Sequence, residues 1–112
     1  MNKKWIYWIP AIFYMSFIFY LSSKSVVPGP SVSIPHYDKV MHFIIFAILS
    51  VLLLIALLKN EFKKPVMFAI LFTIIYAATD EFHQFFVPGR NMDFFDCIAD
   101  SLGSLIVLLF KK

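Results

Sequence analysis

The sequence predicts an all-α fold: a polytopic membrane protein built as a four-helix transmembrane bundle, with its N and C termini in the cytoplasm. Three observations predict it. The composition is too poor in charge for a water-facing surface, four apolar runs approach the length of a bilayer crossing, and most basic residues fall on one side of those runs. Of 112 residues, 61% are hydrophobic and 15% are charged, whereas a soluble domain carries about 25% charged residues. A helix needs about 20 mostly apolar residues to cross a bilayer. The chain therefore has room for four crossings and little else, and reads as a single transmembrane domain over residues 1–112.

The first span covers about residues 5–22, with Ser16 the only clearly polar residue between Trp5 and Leu21. Trp5, Tyr7 and Trp8 open it, where amphipathic rings favour the headgroup layer, and Pro10 is placed to kink it. A cleaved signal peptide is the rival reading. The run is long for one and lacks a small-x-small cleavage site before Ser22, so the chain is expected to keep it. Pro28, Pro30 and Pro35 make the connection from Ser22 to Tyr37 an extended or re-entrant loop. The second span, about 40–58, is interrupted by His42 and Ser50. The third, about 65–87, opens at Pro65, a favoured first helical position. It is apolar to Thr79, meets Asp80-Glu81-Phe82-His83-Gln84, and stops by Pro88-Gly89. The fourth, about 94–110, contains Asp96 and Asp100. No two-residue period is sustained, so no strands are expected.

Short loops rich in Lys and Arg mark the cytoplasmic side. Lys3, Lys4, Lys59, Lys63, Lys64, Lys111 and Lys112 fall there with one acid, Glu61. Lys24, Lys39 and Arg90 fall opposite with six acids: Asp38, Asp80, Glu81, Asp93, Asp96 and Asp100. The pI of 9.1 thus comes from helix ends and not from a patch that would bind nucleic acid. Cys97, the only cysteine, reads as a small buried hydrophobe.

The acids are not scattered in depth. Counting about 1.5 Å per residue from the cytoplasmic end of each span puts His42 ~24 Å, Asp80 ~22 Å and Asp96 ~21 Å up, with Asp100 lower at ~15 Å. The first three share the outer third of a hydrocarbon core about 30 Å thick. Helical spacing also groups them by face: Asp38 with His42; Thr73, Tyr76, Asp80 and Gln84; Asp93, Asp96, Asp100 and Ser104. Ala99 and Gly103 form a small-xxx-small pair that lets the fourth helix approach a neighbour closely. Ionisable groups at membrane depth are costly and by default mark a site. The competing reading is that they pair with Lys39, Arg90 and one another to hold the helices together. His83 is weighed as an interfacial residue, and Pro88-Gly89-Arg90 as a turn that aims Arg90 over the site mouth to grip an anion. Asp38, His42, Asp80, Glu81 and Asp96 carry metal-ligand atoms, but their spacing matches no strong zinc signature and H-E-x-x-H is missing. No metal and no cofactor is assigned.

At these residues the chain resembles the VanZ-like family of bacterial membrane proteins. The resemblance rests on Asp38-Lys39-Val40-Met41-His42-Phe43 with Phe46, on Asp80-Glu81-Phe82-His83-Gln84, on Pro88-Gly89-Arg90, and on Asp93 and Asp96, in that order. Ser22-Ser23 is similar to the short serine motif that follows the family's first helix. Asp100 stands where the family usually has Asn, and Val107 where it has a second glycine, while Gly103 is kept. The resemblance implies a link to glycopeptide resistance, chiefly to teicoplanin, and so to the cell envelope. It supplies no mechanism; an acyltransferase (phosphotransbutyrylase) label is given to some relatives, but nothing in the chain supports a soluble CoA-type enzyme.

Three functions compete. The first is a non-catalytic envelope factor. It sits in the lipid bilayer and binds a lipid-linked cell-wall precursor or lipoglycopeptide from the extracytoplasmic side, through Asp38, Lys39, Gln84, Arg90, Asp93, Asp96 and Asp100. The second is a membrane-embedded hydrolase or transferase acting on a lipid-linked phosphate or acyl group. There Asp80 or Glu81 is the base, His42 the acid–base partner, and Arg90 the anion clamp. The third is a proton or ion path, for which polar groups thin out below Asp100. Four short helices bury little surface, which leaves room for a homo-oligomer.

Overall fold

A computed structural model of the chain describes residues 3–22, 37–86 and 94–110, without the side chains of residues 22, 37–39 and 94. A 3-10 turn, Lys4–Tyr7, leads into α1, Trp8–Ser22. Then come α2, Tyr37–Lys59, α3, Pro65–Phe85, and α4, Phe94–Ser104, which tightens into a 3-10 helix over Leu105–Phe110. The described residues contain no strand. Pro10 falls in the first turn of α1, where its missing N–H leaves no gap in the helix ladder. Pro65 opens α3 for the same reason.

Side-chain contacts fix the direction of each helix. The Tyr14 hydroxyl of α1 donates to the Ile45 carbonyl of α2 at 2.9 Å, while Trp8 packs edge-on against Phe62, just past the end of α2. The two helices therefore run antiparallel. The Tyr76 hydroxyl of α3 donates to the Met15 carbonyl at 2.5 Å, and Phe19 stacks on His83 at 4.4 Å, so α1 and α3 run parallel. Along α4, Asp100 meets His42 and the Ser104 carbonyl accepts from Ser50, so α4 runs with α2. The chain goes up, down, up, down, with α2 in the middle, packed on the other three.

The α2–α3 turn ends α2 with a Schellman motif. The Phe62 N–H bonds the Leu57 carbonyl, and the Glu61 N–H bonds the Leu58 carbonyl, both at 3.1 Å. Glu61 takes the left-handed position at φ 61° that glycine usually fills. Its carboxylate accepts from Lys4 Nζ at 2.9 Å, and Asn60 Nδ2 donates to the Lys4 carbonyl. The start of α1 is thus tied to this turn.

An apolar core and a set of buried polar groups lie inside a largely apolar surface. The apolar core comes mainly from α2, with Phe46, Leu49 and Leu57 almost wholly enclosed. Beside it lie buried Ser50, Thr73, Asp80, Glu81, Gln84, Asp96, Asp100 and Ser104. The outside carries the apolar bulk: Phe13 is 76% exposed and Leu109 78%. Large apolar side chains facing out around an interior that also holds the acids suit a lipid solvent. The hydroxyls of Ser16, Thr73 and Ser101 each donate to the carbonyl one turn back, which satisfies them without water.

Three helices are long and apolar enough to cross a membrane: Lys4–Leu21, Val40–Lys59 and Pro65–Phe85. The fourth segment is not the continuous α-helix that the sequence predicts. It has eleven α-helical residues followed by six in 3-10 geometry.

Candidate functional site

Three helices bring five ionisable side chains together at the end of the bundle opposite the α2–α3 turn. His42 comes from the upper part of α2, Asp80 and Glu81 from the last turns of α3, and Asp96 and Asp100 from α4. Asp80, Asp96 and Asp100 are buried along the stripes that helical spacing groups, and Glu81, which belongs to none of those stripes, is buried as well. On α3, Thr73, Asp80 and Gln84 are buried along one stripe, with Ala69 and Ala77 supplying small residues between them. On α4, Asp96, Asp100 and Ser104 are buried one turn apart.

His42 is the hub. Its Nδ1 lies 2.7 Å from Asp100 Oδ1, the ring N–H donating to the carboxylate, and its Nε2 lies 3.8 Å from Asp96 Oδ2. Two carboxylates one turn apart on α4 therefore bracket one imidazole on α2. The ring lies parallel to Phe46 at 6.3 Å, and Phe46 in turn meets Tyr76 at 6.3 Å. Phe46, one turn along α2, is thus the aromatic neighbour of the imidazole. Ligand atoms of His42, Asp80, Glu81 and Asp100 all lie within 4.8 Å of one another. Asp100 has no exposed surface, and its Oδ2 has no hydrogen-bond partner among the described residues.

The close approach of α4 to α2 makes this possible, and it depends on Gly103. A methyl group there would overlap the Phe43 carbonyl oxygen and come within 3.1 Å of the Ala47 backbone nitrogen. Ser50 Oγ then donates to the Ser104 carbonyl at 2.9 Å, which closes the seam one turn lower.

Counting residues puts Asp100 well below His42, yet the two are hydrogen-bonded. One cause is the 3-10 end of the fourth segment. Six residues rising about 2.0 Å rather than 1.5 Å lift everything above them by roughly 3 Å. Of the other candidates, Gln84 is 2% exposed on the same α3 stripe. His83 is turned toward α1 and stacks on Phe19. Asp38 and Lys39 lie in the first turn of α2, with side chains outside the described set, and Arg90 and Asp93 lie outside the described residues. Tyr14, which ties α1 to α2, carries no sequence signal beyond being a phenol inside an apolar run.

With four carboxyl groups and one imidazole in a largely enclosed space, the arrangement can orient a proton carrier, hold a cation, or receive a ligand's hydrogen-bond donors. A family model described as VanZ/LLP1 matches residues 2–111. No curated protein and no solved structure matches the chain.

Proposed function

The chain belongs to the VanZ/LLP1 family, and from that premise we propose that it is a cell-envelope protein whose polar cluster binds a lipid-linked precursor or a lipid-anchored glycopeptide such as teicoplanin. The observation that carries this is the convergence of His42, Asp80, Glu81 and Asp100 from three helices. A shallow, largely apolar groove of about 360 Å³, lined by Ile12, Met15, Ser16, Phe19 and Tyr76, lies between α1 and α3. It suits an acyl or polyprenyl tail whose polar head reaches the acids.

The topology belongs to the same proposal. The fourth segment, at about 1.5 Å per α-helical residue and 2.0 Å per 3-10 residue, spans roughly 28 Å. That is close to a hydrocarbon core of about 30 Å, so four crossings fit. With Lys-rich ends inside, both termini are cytoplasmic and the cluster faces outward.

Teicoplanin binding to the purified protein in nanodiscs tests the function. Wild type is expected to bind. Glu81→Gln and Asp96→Asn, verified to be folded, are expected to lose binding, and binding equal to wild type in both contradicts the proposal. The second reading, a hydrolase or transferase, draws on an imidazole held by one carboxylate and flanked by another, the geometry of an oriented acid–base group. It requires turnover of a polyprenyl phosphate that disappears in His42→Ala. A proton path gains nothing from the fold, since the hydroxyls of Ser50, Thr73, Ser101 and Ser104 are each committed to a backbone carbonyl.

A further inference from the structure

We propose that His42, Asp80, Glu81 and Asp100 hold one divalent metal ion of the Mn²⁺ to Zn²⁺ kind. The linear spacing of these residues hides the site, because its donors come from three separate helices. Around an ion with ligand bonds of about 2.1–2.2 Å, donors stand roughly 3–4.4 Å apart. The four donor atoms here lie within 4.8 Å of one another, so a small inward movement closes them on a centre. Asp100 supplies a second, independent pointer. It is fully enclosed, commits Oδ1 to His42, and keeps a buried Oδ2 with no hydrogen-bond partner among the described residues. A buried carboxylate oxygen in that state is satisfied by a cation.

The donor set selects the ion class. Three carboxylates favour hard ions, and one imidazole favours transition metals over Ca²⁺ or Mg²⁺. To take the ion, His42 gives up its Nδ1 proton and with it the hydrogen bond to Asp100, and Nε2–H then faces Asp96, 3.8 Å away, an outer carboxylate that can orient the imidazole. A bound cation also changes what the site accepts. The acids alone repel a phosphate, whereas a divalent ion among them attracts one. The inference rests on reading the cluster as a site and not as a helix clamp; it does not depend on which lipid-linked ligand binds.

The test is Mn²⁺ binding to the full chain in detergent, followed by EPR and calorimetry. Wild type is expected to bind about one ion per chain, displaced by Zn²⁺ and by EDTA. Asp100→Asn and Glu81→Gln, with unchanged circular dichroism, are expected to weaken it at least about ten-fold, while the distant Glu61→Gln leaves it intact. No binding of Mn²⁺ or Zn²⁺ by wild type at millimolar concentration overturns the site, as do variants that bind like wild type. Should the variants fail to fold, pulsed EPR of the wild type decides: bound Mn²⁺ must show ¹⁴N coupling from an imidazole, and its absence overturns the assignment. Teicoplanin binding that persists in a protein that takes no metal removes the ion and leaves the proposed function standing. Metal binding without teicoplanin binding does the reverse.

Discussion

His42 and Asp100 form a buried pair, and the two are not equivalent to substitution. His42→Ala leaves the Asp100 carboxylate enclosed without its donor and is expected to lower stability by about 3–5 kcal/mol. Asp100→Asn keeps an acceptor oxygen for the ring N–H and is expected to cost less than half as much, about the worth of one hydrogen bond to a charged group. Thermal unfolding in detergent, followed by circular dichroism, compares them; equal losses contradict the pairing. At the other end, Glu61 sits in left-handed backbone at φ 61°, which costs a non-glycine residue about 1–2 kcal/mol. Its bond to Lys4 is exposed to solvent, at 37% on the Lys4 side chain and 78% on that of Glu61, and such pairs contribute about 0–1 kcal/mol. Glu61→Gly is therefore expected to stabilise the protein slightly, and a clear loss of stability in the same assay contradicts that balance.

The element that matters most is α4. The Ala99 and Gly103 pair and the Asp96, Asp100, Ser104 stripe are legible in the sequence, because helical spacing alone puts each set on one face. What spacing cannot give is the neighbour. Nothing in the linear order says that α4 packs on α2 at Phe43 and Ala47, or that Asp100, not Asp96, reaches His42 Nδ1. Nor does an apolar run such as Leu105–Phe110 reveal that it will tighten into 3-10 geometry, since apolar runs look alike in either helix. Gly103→Ala is expected to push α4 off α2, with an overpacking cost of about 1–3 kcal/mol and loss of any binding at the cluster. Ala99→Ser, at a site still 9% exposed, is expected to cost far less. Thermal unfolding of the two variants checks the contrast, and comparable effects would contradict the close approach at Gly103.

For the molecule as a whole, the fold class was open to the sequence because lipid imposes simple rules. Apolar length and low charge give the helices, and the same rules fit the outward Phe and Leu around buried acids. Sidedness follows from Lys positions alone, so it is a prediction. In a Cys97→Ser background, Asn91→Cys is expected to react with a membrane-impermeant maleimide on intact cells and Lys63→Cys is not; the reverse pattern contradicts the topology. The most direct measurement of the central claim, that the acid cluster is a binding site and not a brace, is teicoplanin sensitivity of a deletion strain. That strain is complemented with wild type, Glu81→Gln, Asp96→Asn or Arg90→Ala, each matched for membrane abundance. Variants present at wild-type levels that fail to protect are the expected result. Variants that protect like wild type, or that are missing from the membrane, contradict it.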